Sequence, residues 1–270
     1  MPNSLSDPTF AEAAVSWRDV RKVYDDGHVA LGGVSLHVAR GEILAILGTS
    51  GSGKTTLLKL VNRLADPTSG EVWVGDRPTS AWNPIELRRS MGYVIQEAGL
   101  MPHLSVVDNV ALTCRLVGTS KPDRIAKADH CLRLVGLDPK LVSDRFPHEL
   151  SGGQRQRVGV ARALATDPAL ILMDEPFGAL DPITRRTLQD EFRNLQRSLK
   201  PTVILVTHDL REACRMADRL ALIDHGQLVQ VGRPQDFLDQ PANEFVRSFF
   251  ADARAVDTII PADPASEVSR

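Results

Sequence analysis

The sequence is short of the features that would place it in an oxidising compartment or in a bilayer. Its 270 residues include three cysteines, Cys114, Cys131 and Cys214. Their spacing matches neither a zinc-ligand pattern nor a Cys-x-x-Cys pair, so they are expected to be small, partly buried apolar side chains. No run of about 18 or more apolar residues occurs, and no membrane-spanning helix is expected. The opening MPNSLSDPTFAEAA lacks a basic segment followed by an apolar block, so it does not read as a signal peptide. There is no net basic field either. Lys and Arg number 32 against 34 Asp and Glu, a formal net charge of −2, which argues against a nucleic-acid partner. The basic run Arg155–Arg162 reads, on charge alone, as a solvated helix face. These absences predict a soluble, cytoplasmic chain whose role at a membrane, if it has one, comes through a partner.

What is present is a regular alternation of elements. Residues 1–14 are small and polar and are expected to be a loose tail, as are the Pro- and Ala-rich residues 251–270. AVSWRDVRKVY and VALGGVSLHVARGE alternate apolar and polar positions on either side of the turn signal DDGH, which predicts antiparallel strands. EILAILG, ALILMDEP and TVILVTHD are short continuous apolar runs, the pattern of strands buried on both faces. MGYVIQ reads as a further strand ending at Gln96, and LALIDHGQLVQVG as a hairpin. KTTLLKLVNRLA has helical spacing, residues 97 to about 157 turn helical, and so does the stretch PQDFLDQPANEFVRSFF. Apolar strands alternating with helices imply an α/β core around a parallel sheet, with an antiparallel β-subdomain and an inserted helical subdomain. In such sheets ligands sit beyond the carboxyl ends of the strands. The unusual residues of this chain fall at three such ends.

The first end carries LGTSGSGKTTLLKL. Gly48, Gly53, Lys54 and Thr55 match G-x-x-x-x-G-K-[ST], in the strand–loop–helix setting that the pattern requires. Gly48, Thr49, Ser50, Gly51, Ser52 and Gly53 supply a loop whose backbone N–H groups can reach phosphate oxygens. Lys54, Thr55 and Thr56 open a helix whose positive dipole end points at the same place. The Lys54 ammonium suits the β- and γ-phosphates and the Thr55 hydroxyl suits Mg²⁺, so the loop is built for a nucleoside triphosphate. At the second end Asp174 and Glu175 follow a buried strand, where an acidic pair needs a cation or a hydrogen-bond partner. Asp174 suits the Mg²⁺ shell and Glu175 suits a general base. At the third end stands His208. Alone it would be an ordinary surface histidine; beside the first two it becomes a candidate sensor of the γ-phosphate.

LSGGQRQRVGVARALA, Leu150 to Ala165, stands shortly before PALILMDEPFGALDP, and together they resemble the ATPase cassettes of ATP-binding cassette (ABC) transporters. The resemblance runs from about Val15 to Phe250. It implies a P-loop NTPase (RecA-like) core at 15–96 and 158–250, with a helical signature subdomain at about 97–157. On that resemblance Gly48 to Thr56 corresponds to Walker A and Leu170 to Asp174 to Walker B. Glu175 falls at the catalytic glutamate, Gln96 at the Q-loop and in the metal shell, and His208 at the switch histidine. Ser151, Gly152, Gly153 and Gln154 fall at the signature motif, Ala179 to Asp181 at the D-loop, and Tyr24 where an aromatic ring stacks on adenine. The resemblance implies ATP hydrolysis with Mg²⁺. It also implies an ATP-sandwich dimer with a second copy of the chain, each ATP lying between Walker A of one copy and the signature of the other.

GYVIQEAGLMPHLSVVDNVAL and MDEPFGALDPITR resemble the importers that use a binding protein, and most nearly the quaternary-amine osmoprotectant group of glycine betaine, choline and carnitine. Several cassettes of that group carry a C-terminal pair of regulatory CBS domains, and neither that pair nor the ionic-strength sensing it implies is expected of this chain. Transmembrane permease subunits, and through them a substrate-binding protein, are the implied partners, at the cytoplasmic face of the cell membrane. AGLMPHLSV is the expected docking segment. An exporter subunit or another importer of the family is the alternative. DNA-repair ATPases of the same site chemistry place long coiled coils between the Walker motifs, and no sustained heptads occur here. Soluble translation-factor relatives usually carry two cassettes, and each motif occurs once.

Overall fold

The computed structural model of the protein describes residues 12–251, apart from 97 and 179. The expected tails therefore lie almost wholly outside the described residues. Ala13, within the first of them, is buried, and Ala14 donates its N–H to Val38 O at 2.8 Å, so the chain has joined a sheet by that point.

Strand β1 (Val15–Val23) pairs antiparallel with β2 (Val29–Val38), as the alternation predicts. Strand β3 (Ile43–Leu47) leads through the glycine loop into helix α1 (Lys54–Val61). β4 (Ser69–Val74) returns to pair with β1, with the short β5 (Arg77–Pro78) beyond it, which completes an antiparallel sheet ordered β2-β1-β4-β5. After helix α2 (Pro84–Arg89), strand β6 (Gly92–Val94) enters the second sheet. It ends earlier than MGYVIQ suggests, so Gln96 sits in a turn past the strand rather than at its last position. The helical insertion follows as α3 (Val106–Leu116), α4 (Lys121–Leu134), α5 (Pro139–Val142) and α6 (Gly152–Leu164). Helix α6 runs unbroken across residue 157, where the sequence suggested a change of subdomain, because its apolar face packs on β6 as well as on α3 and α4. Then come β7 (Leu170–Asp174), α7 (Pro182–Leu199), β8 (Thr202–Val206) and α8 (Leu210–Met216). The chain closes with the hairpin β9 (Arg219–Asp224) and β10 (Gln227–Gly232), then α9 (Pro234–Asp239) and α10 (Glu244–Phe249).

The second sheet is ordered β10-β9-β3-β8-β7-β6 and is parallel except for the β9–β10 hairpin. β3, β8 and β7 are central, and their side chains alternate between two cores. Ile43, Ala45 and Leu47 point with Ile171, Met173, Val203 and Leu205 into the core shared with α6, α7 and the helical insertion. Leu44, Ile46, Leu172, Ile204 and Val206 point the other way, against α1 and the antiparallel sheet, where Trp17 is fully buried. Burial on both faces is why these runs are continuously apolar. Trp17 also donates its indole N–H to Leu57 O at 3.2 Å, locking the antiparallel sheet to α1.

The arginine run is only partly a solvated face: Arg155 is exposed, but Arg157 and Arg162 turn inward. Arg157 donates to Val135 O and pairs with Glu191, while Arg162 donates to Gly99 O at 2.7 Å and Ala98 O at 2.6 Å. These guanidiniums satisfy carbonyls at loop and helix ends, where backbone groups lack an intrahelical partner. Among the described residues no helix is long and apolar enough to cross a membrane.

Leu172 sits at the centre of the sheet with no exposed surface. Leu172→Ala is expected to lower the unfolding free energy by about 2–5 kcal/mol. Urea denaturation followed by tryptophan fluorescence measures it, and a loss well under 1 kcal/mol would contradict this packing.

Candidate functional site

Four consecutive strands of the parallel sheet, β3, β8, β7 and β6, release their chains at the same edge. Neighbouring strands lie about 4.8 Å apart, so loops leaving adjacent carboxyl ends are within side-chain reach of one another. The ladder itself continues past the strand ends. Ile46 and Asp174 both register with Val206. Beyond that row Glu175 donates its N–H to Val206 O at 2.9 Å, and Thr207 donates to Ile46 O at 3.2 Å.

The loop from β3 is shaped by backbone rather than by side chains. Gly48 has φ 154°, and a Cβ there would stand 2.1 Å from Ile223 O. Gly53, with φ 104°, would place a Cβ 2.4 Å from Ala30 O. The loop is thus held between the start of β2 and the β9–β10 hairpin, whose Gly226 donates to Ser52 O at 3.1 Å. Thr49, Ser50 and Gly51 are exposed at its crown, whereas the buried Ser52 hydroxyl has no partner. Lys54 is only 7% exposed, and its ammonium donates to Gly48 O at 3.0 Å and Thr49 O at 2.7 Å. Burial lowers its pKa, against the pull of the Glu175 and Asp174 carboxylates. Thr55 donates its hydroxyl to Asp174 Oδ1 at 3.1 Å. Burial raises the Asp174 carboxyl above the usual carboxylate range, and the Thr55 bond opposes that rise.

Glu175 stands next to this pair with φ 46°, a left-handed conformation unusual for a residue with a side chain. Gln96 Nε2 donates to its Oε2 at 3.1 Å, and His208 Nδ1 lies 3.1 Å from its Oε1. Residues from the ends of β6, β7 and β8 therefore meet on one carboxylate. The Tyr24 hydroxyl is 3.2 Å from Thr56 Oγ1 in the first turn of α1, and the residue stays 38% exposed.

The residues at Ser151 lie apart from this cluster. Ser151 caps α6 in a reciprocal box, accepting from Gln154 N at 3.2 Å and donating its own N–H to Gln154 Oε1 at 3.0 Å. Ser151, Gly152, Gly153 and Gln154 line a cleft together with Leu180 and Asp181, and no residue of the glycine loop lines it. Ala179 lies outside the described residues.

Several residues that place these groups carry little or no signal in the sequence. Asn109, fully buried, holds the segment after Gln96 by donating to Met101 O, Leu104 O and Ser105 O and accepting from Met101 N at 2.7 Å. An asparagine inside an apolar helical stretch was the only available signal. The partly buried pair Arg185–Asp209 and the buried Glu212 form a second polar group next to His208 in the chain, and nothing in their local spacing marks them.

A sheet whose adjacent strand ends deliver such a loop, an acidic pair and a histidine to one edge defines a P-loop nucleotide-binding protein. The sequence model of the ABC transporter family matches residues 31–178, more than half of the chain, and the chain belongs to that family. It is 48% identical over 239 residues to the glycine betaine/carnitine/choline transport ATP-binding protein OpuCA of Bacillus subtilis, covering 88% of this chain and 63% of OpuCA. It is 49% identical over 221 residues to the glycine betaine uptake system ATP-binding protein YehX of Escherichia coli, covering 82% of this chain and 71% of YehX. Among solved structures, the dimeric post-hydrolysis state of the ATP-binding cassette MJ0796 bound to ADP and Pi matches with a TM-score of 0.75 at 35% identity. That match covers 82% of this chain and 98% of that one. The chain spans less than two thirds of the length of OpuCA.

Glu212 offers a direct test of the buried polar group. Burial, and next the Asp209 carboxylate, push its pKa up to about 8 from the usual 4.5. Between those values the unfolded chain has released a proton that the folded chain keeps, so stability falls as pH rises through the window. Glu212→Gln is expected to flatten this fall and to be more stable than the parent at pH 8. Melting temperatures of both proteins from pH 5 to 8.5 check it, and parallel profiles would refute the assignment.

Proposed function

We propose that this chain is the ATP-hydrolysing, nucleotide-binding subunit of a bacterial ABC importer that takes up a small quaternary-amine solute of the glycine betaine or choline type. The observation that carries the reading is the Glu175 carboxylate, held by Gln96 and His208 beside the Thr55–Asp174 pair and the Lys54 ammonium. The names of the similar transport proteins support the choice of solute.

In this reading the phosphates of ATP replace the loop carbonyls as acceptors for Lys54. The main-chain N–H groups of Gly51 to Thr56 close around them, aided by the α1 dipole. Tyr24, braced by Thr56, presents its exposed ring to the adenine. The Thr55 hydroxyl, the Asp174 carboxylate and the free amide oxygen of Gln96 form an all-oxygen donor set that fits Mg²⁺. That ion, when bound, neutralises charge on the β- and γ-phosphates. Glu175 orients the attacking water and takes its proton as it adds to the γ-phosphorus, while the β–γ bridging oxygen leaves on ADP. His208 holds Glu175 in place and faces the γ-phosphate.

The first N–H groups of α6, at Gly152 and Gly153, make a second anion site in the separate cleft with Asp181. A second copy of the chain is needed to bring that site to the γ-phosphate bound by Lys54, so ATP joins the two copies. The permease subunits dock on the groove between β6 and α3, lined by Ile85, Met91, Tyr93 and Leu116, and on the loop stapled by Asn109, where Met101 is 40% exposed. The chain thereby sits at the cytoplasmic face of the cell membrane, and a substrate-binding protein hands the solute to the permease.

Glu175→Gln is expected to keep ATP affinity and lower turnover by roughly 10²–10⁴-fold, the reach of general-base catalysis. Phosphate release and calorimetry check this, and near-normal turnover would remove Glu175 from the role. In that background ATP should accumulate a dimer that the additional change Ser151→Arg abolishes. Sedimentation velocity reads the outcome, and persistent dimers in the double variant would count against the shared site. Uptake of labelled betaine and choline by vesicles holding the neighbouring permease tests the solute.

A further inference from the structure

Arg185 lies in the first turn of α7 and reaches two loops that the chain order keeps apart. Its Nη2 donates to Leu180 O at 3.0 Å, with Gly178 O at 3.5 Å, on the loop that runs from Glu175 toward Asp181. Its Nη1 donates to Asp209 Oδ2 at 3.0 Å, on the residue that follows His208. The other oxygen of Asp209 caps α8, accepting from Arg211 N at 2.9 Å and Glu212 N at 3.1 Å. Asp209 N in turn donates to Thr207 Oγ1 at 3.0 Å, so the residues on both sides of His208 are tied down. Asp181 caps α7 in the same way, through Ile183 N at 3.2 Å and Thr184 N at 3.0 Å. The ion pair is more than two-thirds buried at both ends, where it is less screened than a surface pair.

We propose that Arg185 is a positioning residue that couples the two halves of the ATP site. One guanidinium fixes His208 against Glu175 and, through the carbonyls before Asp181, fixes Asp181 in the cleft that Ser151 shares. The proposal rests on the ATPase reading above. Arg185 touches no reacting atom; it joins the segment facing the γ-phosphate of its own site to the segment facing the other copy. A planar fork with donors on two edges serves both loops at once, and a lysine, with a single compact charge, serves one. Glu212 lies buried behind this pair with one carboxyl oxygen unpartnered, and Arg185 Nε is also buried without a partner. The guanidinium is therefore held by few alternatives to the contacts named.

The test uses the full-length chain and compares the parent with Arg185→Ala, Arg185→Lys and Asp209→Asn, the last chosen because asparagine retains the helix cap. Arg185→Ala is expected to lower kcat about tenfold or more with less than a twofold change in KM for ATP, since misplacement of catalytic groups acts on turnover. Arg185→Lys should recover part of the loss. Asp209→Asn should reproduce part of it, and the double variant Arg185→Ala/Asp209→Asn should be no slower than Arg185→Ala alone. Wild-type kcat in Arg185→Ala, a loss carried by KM, or multiplying effects in the double variant would each overturn the proposal. If Arg185→Ala does not fold, Asp209→Asn decides, and its kcat at the parent level overturns it. A nucleotide-free reading is the ¹⁵N shift of the His208 ring, which should move in Arg185→Ala and Asp209→Asn. A parent protein without turnover rejects the ATPase reading, and the His208 shift then judges the coupling by itself: unmoved, the coupling is rejected too.

Discussion

The hydrogen-bond ladder joining β3, β8 and β7 is the constraint from which the rest of the molecule follows. It does not stop at the last strand residues. Glu175 N to Val206 O and Thr207 N to Ile46 O carry the pairing one step into the loops. That extra step sets where Glu175, Thr207 and, next to it, His208 begin, and it fixes them against the glycine loop leaving β3. The apolar side chains beneath the ladder are buried on both faces, so the strands cannot slip by one residue without turning each core face toward the other. Site geometry is therefore inherited from core packing.

On this frame the protein gathers charge that it would not otherwise keep together. A buried ammonium, Lys54, faces two carboxylates, and the loop carbonyls of Gly48 and Thr49 satisfy it. Desolvation disfavours the charged forms of Lys54 and Asp174. Their mutual attraction and the Thr55 and Gln96 hydrogen bonds offset part of that cost. A triphosphate with a divalent cation supplies the anions and the cation that this arrangement leaves incompletely matched, which is the electrostatic basis for the proposed nucleotide site. The left-handed Glu175 fits the same account, because strain at one residue is tolerated where the surrounding bonds over-determine it.

The two clefts also lie apart within one chain. The capped α6 N-terminus and Asp181 share a cleft to which the glycine loop does not contribute. In the proposed function the two clefts meet only across a pair of chains, so the loops behind Glu175 and His208 must respond to events in both. Arg185 adds a link between those loops beyond the direct His208–Glu175 contact, and it is built from backbone carbonyls and one partly buried ion pair rather than from the apolar core.

The strands, the glycine loop, the acidic pair and the ordered family motifs were legible in the sequence because each is a local matter. Continuous apolar runs report burial on both faces, and Gly48 and Gly53 report backbone that no Cβ permits. Other features were not legible, because they depend on which distant carbonyl or carboxylate lies within reach. MGYVIQ does not reveal that pairing stops at Val94, since the neighbouring strand decides that. Arg157 and Arg162 read as solvent charges until Val135, Ala98 and Gly99 are placed beside them. Arg185 and Glu212 carry no local signature at all, and Asn109 shows only as an amide inside an apolar helical stretch. Residue type and spacing thus determined the elements and the chemistry at their ends, for those follow from side-chain size, polarity and φ. Only the tertiary structure decided which ends share an edge, which charges are paired and which are buried alone, because hydrogen bonds and desolvation act across space and not along the chain.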